Sequence, residues 1–210
     1  MDYQFGADLR SRLTDNLTRF ERKAIGDEKL RRAAVAIVVA NLETSPEAGV
    51  LLTKRPAGLR RHANQYALPG GRLDEGETLE QAALRELHEE MRLELPPDAI
   101  MGLLDDYPTR SGWRITPVVV WGGAIDRIDP DPVEVAFAMR IPLSELDHPR
   151  VPRLRPTEEG KPPVLSAPLP TMGSEVYAPT AAMLYQFREV AIRGASTRVA
   201  HYDEPRFAWR

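Results

Sequence analysis

The sequence predicts a mixed α and β fold around one core, and three observations carry that expectation. Apolar runs of strand length recur at 33–40, 50–55, 114–123 and 133–141. Helical periodicity recurs near the start, after residue 78 and after residue 180. The two kinds of segment do not alternate regularly, which argues against a doubly wound parallel sheet. At 210 residues the chain can bury one substantial core, most simply as one domain.

Phe5, Leu9, Leu13, Leu17 and Phe20 lie three or four apart and predict an amphipathic helix folded onto the body. Charges of both signs on its polar side favour packing over a membrane anchor. AAVAIVVA (33–40) reads as a buried strand, with VLLTKR (50–55) as its hairpin partner across NLETSPEAG. Residues 56–70 read as an irregular basic loop, continued by Gly70-Gly71 and Asp74-Glu75-Gly76. A helix is expected from Thr78, because Thr78 and Gln81 match a capping box. Ala83, Leu84, Leu87 and Met91 form its core-facing stripe, and Pro96-Pro97 closes the helical region. RITPVVVWGG (114–123) and VEVAFAMRI (133–141) read as strands, and Pro117 assigns the first an edge or bulged position. Residues 142–170 are rich in proline and read as a long, mostly irregular segment. A last helix is expected from Thr180 to Arg193, stopped at Gly194. The expected organisation is an N-terminal helical extension (1–30), a domain over 31–194 with a proline-rich insertion at 142–170, and a tail (195–210).

Composition excludes several functions. A formal net charge of −3 supplies no global basic field, and no helix-turn-helix or basic tail is visible, so nucleic acid is not an expected partner. The absence of cysteine rules out disulfides, thiolate metal sites and cysteine nucleophiles. MDYQFGADLRSRL lacks the apolar core of a signal peptide, and no apolar run reaches membrane-spanning length, so the expected location is the cytoplasm without a membrane partner.

The chemistry concentrates in RELHEE. Glu86, Glu89 and Glu90 fall on one side of a helix, with Glu90 about 40° from Glu86 and Glu89 about 60° the other way. Like charges so spaced weaken a helix. Their clustering points to an external cation, and oxygen ligands select a hard one, Mg²⁺ or Mn²⁺. Such an ion can neutralise a diphosphate and activate water, while a spare carboxylate takes the water's proton. Gly70 and Gly71 let backbone approach a phosphate or the ion. Lys54, Arg55, Arg60 and Arg61 form a local cationic cluster in an acidic protein, suited to phosphate.

This segment resembles the Nudix box: Gly, five residues, Glu, seven residues, Arg-Glu, an aliphatic residue, any residue, Glu-Glu, any residue, Gly, aliphatic. Gly71, Glu77, Arg85-Glu86, Leu87, Glu89-Glu90 and Leu93 fit in order, and the glycine near the helix end is Arg92. The resemblance implies a Nudix hydrolase: an α+β fold, an αβα sandwich around a mixed sheet with a loop–helix–loop catalytic motif. It implies Mg²⁺- or Mn²⁺-dependent hydrolysis of a nucleoside diphosphate derivative. Carried across, Glu86, Glu89 and Glu90 hold the metal with the carbonyl of Gly70, and Arg85 pairs with a carboxylate such as Glu77 and orients Glu86. Because that glycine normally permits a left-handed turn, Arg92 leaves the helix end open.

The preceding segment is similar to the coenzyme A diphosphatase branch of that family. Leu51, Leu52, Thr53, Arg55, Leu59, Arg60, His62, Gln65, Pro69, Gly70 and Gly71 match, whereas Pro56, Asn64 and Leu68 depart, Asn64 being a residue that tolerates positive φ. The implied substrate is coenzyme A or a thioester, cleaved to 3′-phosphoadenosine 5′-phosphate and 4′-phosphopantetheine. Lys54, Arg55, Arg60, His62, Gln65 and Gly71 are its expected contacts. The alternatives are another nucleotide substrate such as ADP-ribose, or a Nudix-like module that binds without cleaving. Glu134 is a candidate further metal ligand or base, with a surface role the simpler reading. Asp105, Asp106 and the TRSGWRITP stretch are candidates to border the pocket, and Trp113 or Tyr107 to stack on adenine. A homodimer is expected by analogy with the family.

Overall fold

The computed structural model describes residues 1–58, 63–157 and 161–205. Its centre is β1 (Arg31–Asn41), paired in parallel with β7 (Trp113–Gly123) and antiparallel with β2 (Ala48–Lys54). Short strands β3 (Tyr66–Ala67) and β4 (Gly70–Arg72) pair with β2 and β1, β5 (Ile100–Leu103) and β6 (Tyr107–Pro108) with β7, and β8 (Phe137–Pro142) with β2. Among the described residues this makes one mixed sheet of eight strands.

Alternation along β1 explains the layering. Val35, Ile37 and Val39 point into one apolar cluster, whereas Ala34, Ala36, Val38 and Ala40 point into another. Helix α1 (Ala7–Arg19) covers the first face with Leu9, Leu13 and Leu17, and α2 (Leu79–Met91) covers the second with Ala83, Leu87 and Met91. Leu84 is only half-buried. The result is the expected αβα sandwich.

Several expectations need correction. Gly70 and Gly71 lie in β4, hydrogen-bonded beside β1, so the loop before the helix is shorter than expected. Pro117 lies in a central strand. Its carbonyl accepts from Leu104 N–H at 3.0 Å, on the side where the neighbour changes from β5 to β6, so the missing donor falls at a break in the ladder. Residues 132–134 form a turn, and the expected strand begins only at Phe137. The 142–170 segment is not mostly irregular. It holds α3 (Leu143–Leu146), β9 (Arg153–Arg155) and β10 (Val164–Leu169), which with β11 (Ser174–Tyr177) makes a second, three-stranded sheet. Helix α4 (Thr180–Phe187) runs on into a π-helical turn, Arg188–Ile192, and Gly194 follows at φ 69°.

Helix α2 begins as its sequence predicts: Thr78 accepts from Gln81 N–H, and the Gln81 side chain accepts from Thr78 N–H. It ends at Met91, well before Pro96-Pro97, because Arg92 takes the left-handed conformation at φ 55°. The chain keeps the turn a glycine would make and bears the cost of a Cβ there, about 1 kcal/mol or more. Arg92→Gly should therefore raise stability to urea by about 0.5–1 kcal/mol. A loss of stability would mean that the exposed contact of Arg92 with Asp131, at 3.5 Å, outweighs the backbone term.

Candidate active site

Arg85 organises the site. Its Nε and Nη2 donate to the two oxygens of Glu77 at 2.9 and 3.0 Å, so loop and helix are tied by a bidentate pair. Its Nη1 donates to Glu86 at 2.9 Å and to Glu89 at 3.0 Å, and Nη2 also reaches the Arg72 carbonyl at 3.0 Å. The Arg85 guanidinium holds the Glu77 carboxyl below its usual range, assisted by the Asp74 N–H.

Glu90 lies outside this fork. It is 4% exposed, and its carboxylate accepts the Gly70 N–H at 3.3 Å. Burial pushes its carboxyl up to about 8, reinforced by the charges of Glu86 and Glu134 and opposed by Gly70 N–H and Arg55. Burial also raises Glu86, against the pull of Arg85.

Gly71 has a role that sequence reasoning missed. A Cβ on it would lie 2.3 Å from Glu86 Oε1, so glycine leaves room for that carboxylate. Gly70, at φ 149°, approaches Ala34 and Val35 so closely that a Cβ would lie 2.3 Å from the Ala34 carbonyl. Glu134 reaches the site through the turn 131–134. Asp131 N–H donates to the Glu90 carbonyl at 2.9 Å, which docks that turn on the end of α2.

Glu86, Glu89, Glu90 and Glu134 line one cleft of about 450 Å³, together with Arg55, Gly70, Gly71, Arg72, Asp74 and Arg85. Among the described residues, no three acidic or histidine side chains already converge on one point. Glu86 and Glu89 are drawn onto Arg85 instead. The donor set nonetheless fits a hard divalent ion: several carboxylates and no soft ligand, two of them buried and held back from ionising.

The other expected residues divide. Arg55 lines both this cleft and a neighbouring cavity of about 480 Å³, and among the described residues its buried Nε has no hydrogen-bond partner. Gln65 lines the larger cavity, as does Asn64, at φ 60° as its residue type permits. Lys54 lines neither; its Nζ sits over the rings of Tyr66 and Phe137, at 5.3 and 5.5 Å. Arg60 and His62, with Leu59 and Arg61, lie outside the described residues. Asp105 and Asp106 do not border the pocket: they are buried, Asp105 holding Arg198 at 2.7 Å and Asp106 holding Arg22 at 2.5 Å. Tyr107 is core, 1% exposed, whereas Trp113 lines the larger cavity with Arg31 at 4.1 Å from its ring. Sequence reasoning also missed Arg72, which lines both spaces, and the wall supplied by Ser174–Thr180 and Glu204. No spacing pattern signals either.

A NUDIX domain model matches residues 30–160. The uncharacterized Nudix hydrolase NudL of Cronobacter sakazakii is 41% identical over 124 residues, 55% of this chain and 59% of that protein. The NudL of Escherichia coli O6:H1 is 39% identical over 148 residues, 65% of this chain and 72% of its own length. The chain thus spans about three fifths to seven tenths of these relatives. A MutT/nudix family protein from Enterococcus faecalis has a similar crystal structure, with a TM-score of 0.50 at 14% identity, covering 89% of this chain and 75% of that one. At that identity the likeness concerns the fold.

The raised carboxyl of Glu90 has a consequence for stability. Between the ordinary value of 4.5 and about 8, the folded protein keeps a proton that the unfolded chain releases, so this group's contribution falls as pH rises through that window. Glu90→Gln removes the dependence. In urea titrations without divalent salt, its stability relative to the parent should be about 2 kcal/mol or more higher at pH 8 than at pH 5. An unchanged difference would contradict the burial argument.

Proposed function

The chain belongs to the Nudix family, and we propose that it hydrolyses the diphosphate bond of coenzyme A or its thioesters, releasing 3′,5′-ADP and 4′-phosphopantetheine or its acyl form. The observation that carries the reading is the cleft itself. Four carboxylates adjoin a cavity large enough for a nucleotide substituent, with Arg55 at the junction. The match to the coenzyme A branch over residues 50–71 supports the substrate.

Glu86, Glu89 and Glu90 would hold Mg²⁺ or Mn²⁺, with the Gly70 carbonyl as a further ligand. The bound ion supplies charge neutralisation at the diphosphate and a more acidic water. Arg85 keeps Glu86 and Glu89 at fixed positions, and the Arg55 Nε–H has a donor to give a phosphate oxygen. Water forms one new P–O bond, one bridging P–O bond breaks, and the proton passes to a carboxylate of the cleft. Trp113 would offer its ring to the substrate, and Gln65 an amide. The protein would act in the cytoplasm on a small nucleotide.

Glu90→Gln should lower turnover of coenzyme A by about 10³-fold or more while circular dichroism and melting remain those of a folded protein. Near-normal turnover would remove Glu90 from the chemistry. Incubation with coenzyme A, dephospho-coenzyme A and ADP-ribose in Mg²⁺ or Mn²⁺, with products resolved by mass in ¹⁸O water, should show coenzyme A cleaved fastest and one product carrying the label. A clear preference for ADP-ribose would replace the substrate assignment and leave the hydrolase.

A further inference from the structure

Resting on the diphosphatase reading, the larger cavity distinguishes the two halves of the substrate. On one side of its diphosphate, coenzyme A carries an adenosine with a further phosphate dianion. On the other it carries an uncharged chain of methyl, methylene and amide groups. The cavity meets the carboxylate cleft through Arg55, Gly70, Gly71 and Arg72, which line both. Beyond that junction the walls are largely apolar, with Val35, Leu68, Trp113, Ile115, Val176 and Met183. Among the described residues, the charged ones that line it beyond the junction are Glu175 and Glu204. Arg153 and Arg155 both pair with Glu175, the latter at 2.7 Å, and Glu204 accepts the Arg110 N–H at 3.3 Å. Glu204 is only 4% exposed.

A phosphate dianion in this space would lose water to largely apolar walls and face the buried Glu204, while Glu175 is already paired by Arg153 and Arg155. An uncharged chain would bury its methyl and methylene groups on the apolar walls and give an amide N–H to a buried carboxylate. We propose that this cavity is the subsite for the uncharged, amide-bearing arm of the substrate, and that Glu204 determines specificity there by accepting an amide N–H. The phosphoadenosine half then leaves the cleft on the opposite side.

The wall that makes this choice lies outside the family match. Residues 174–183 and Glu204 follow the matched span of 30–160, so the selecting surface belongs to the C-terminal part of this chain. That part is firmly held. Arg110 clasps Asp203 through Nε at 2.5 Å and Nη2 at 2.7 Å, Tyr107 donates to the Tyr202 carbonyl at 2.9 Å, and Asp203 N–H donates to the Pro163 carbonyl at 3.0 Å. Glu204 is therefore positioned before substrate arrives, which limits the ordering cost of binding.

The two products separate the two arms. Titration calorimetry with 4′-phosphopantetheine and with 3′,5′-ADP, in Mn²⁺, should be run on the parent, on Glu204→Gln and on Ser174→Trp. Ser174 is exposed at the cavity wall, so the second variant narrows the space without disturbing the core. Each variant should weaken 4′-phosphopantetheine about fivefold or more and leave 3′,5′-ADP within about twofold. KM for coenzyme A should rise in parallel while kcat stays within about threefold. Equal losses for both products, or a loss confined to 3′,5′-ADP, would overturn the proposal. If the parent cleaves coenzyme A but neither variant affects 4′-phosphopantetheine, the subsite fails and the proposed function stands. If the parent cleaves no coenzyme A yet binds 4′-phosphopantetheine in a Glu204-dependent way, the function fails and the subsite stands.

Discussion

One guanidinium holds the 70–93 motif together. Arg85 bonds Glu77 from the loop, Glu86 and Glu89 from the helix and the Arg72 carbonyl from the strand. Without it, like charges on neighbouring turns would push apart and the loop would lose its tie to α2. The pairing is partly buried, so it is screened less than a surface ion pair. It leaves Glu90 out, and burial with the charges of Glu86 and Glu134 sets the contrast within the motif: Glu77 ionises readily, while Glu90 is held protonated towards pH 8. A site with this contrast is poised for a cation, since a divalent ion would relieve the charge that burial and repulsion penalise.

The sheet supplies the geometry that the arginine depends on. Strand β4 lies against β1 with Gly70 and Gly71 in contact positions, and the missing Cβ of Gly71 is the space that Glu86 occupies. At the far end of α2, the left-handed Arg92 turns the chain. The turn that carries Glu134 docks there through Asp131. Strand, helix and turn therefore converge on one cleft from three separate stretches of chain.

A second set of buried charges serves architecture. Asp105 gathers Arg198 and the Gln186 side chain, and Asp106 gathers Arg22 and Thr116. These contacts join the segment after α1, helix α4 and the C-terminal segment to the turn between β5 and β6 and to β7. The pairing of Arg110 with Asp203 extends the same arrangement to the wall of the larger cavity. Acidic residues near the pocket in sequence are thus spent on holding its surroundings, which is why proximity to the TRSGW stretch did not reveal their use.

Local patterns foretold what local physics controls. The capping box at Thr78, the i, i+3, i+4 stripe of α1, the positive φ of Asn64 and the grouping of Glu86, Glu89 and Glu90 each depend on a few neighbouring residues, and each was readable in the chain. Pro117 misled, because a proline's tolerance is set by the strand beside it, here by the gap between β5 and β6. The second sheet was hidden because β9, β10 and β11 are short and surrounded by proline, and they form by pairing with one another and by burying Leu165, Ala167, Leu169 and Val176 in the core. Membership of the Nudix family was legible from residues 71–93 alone. Folding decided that Glu90 is the buried carboxylate, that Glu134 joins it and that Glu204 lines the neighbouring cavity, because burial and charge proximity arise between segments distant in sequence.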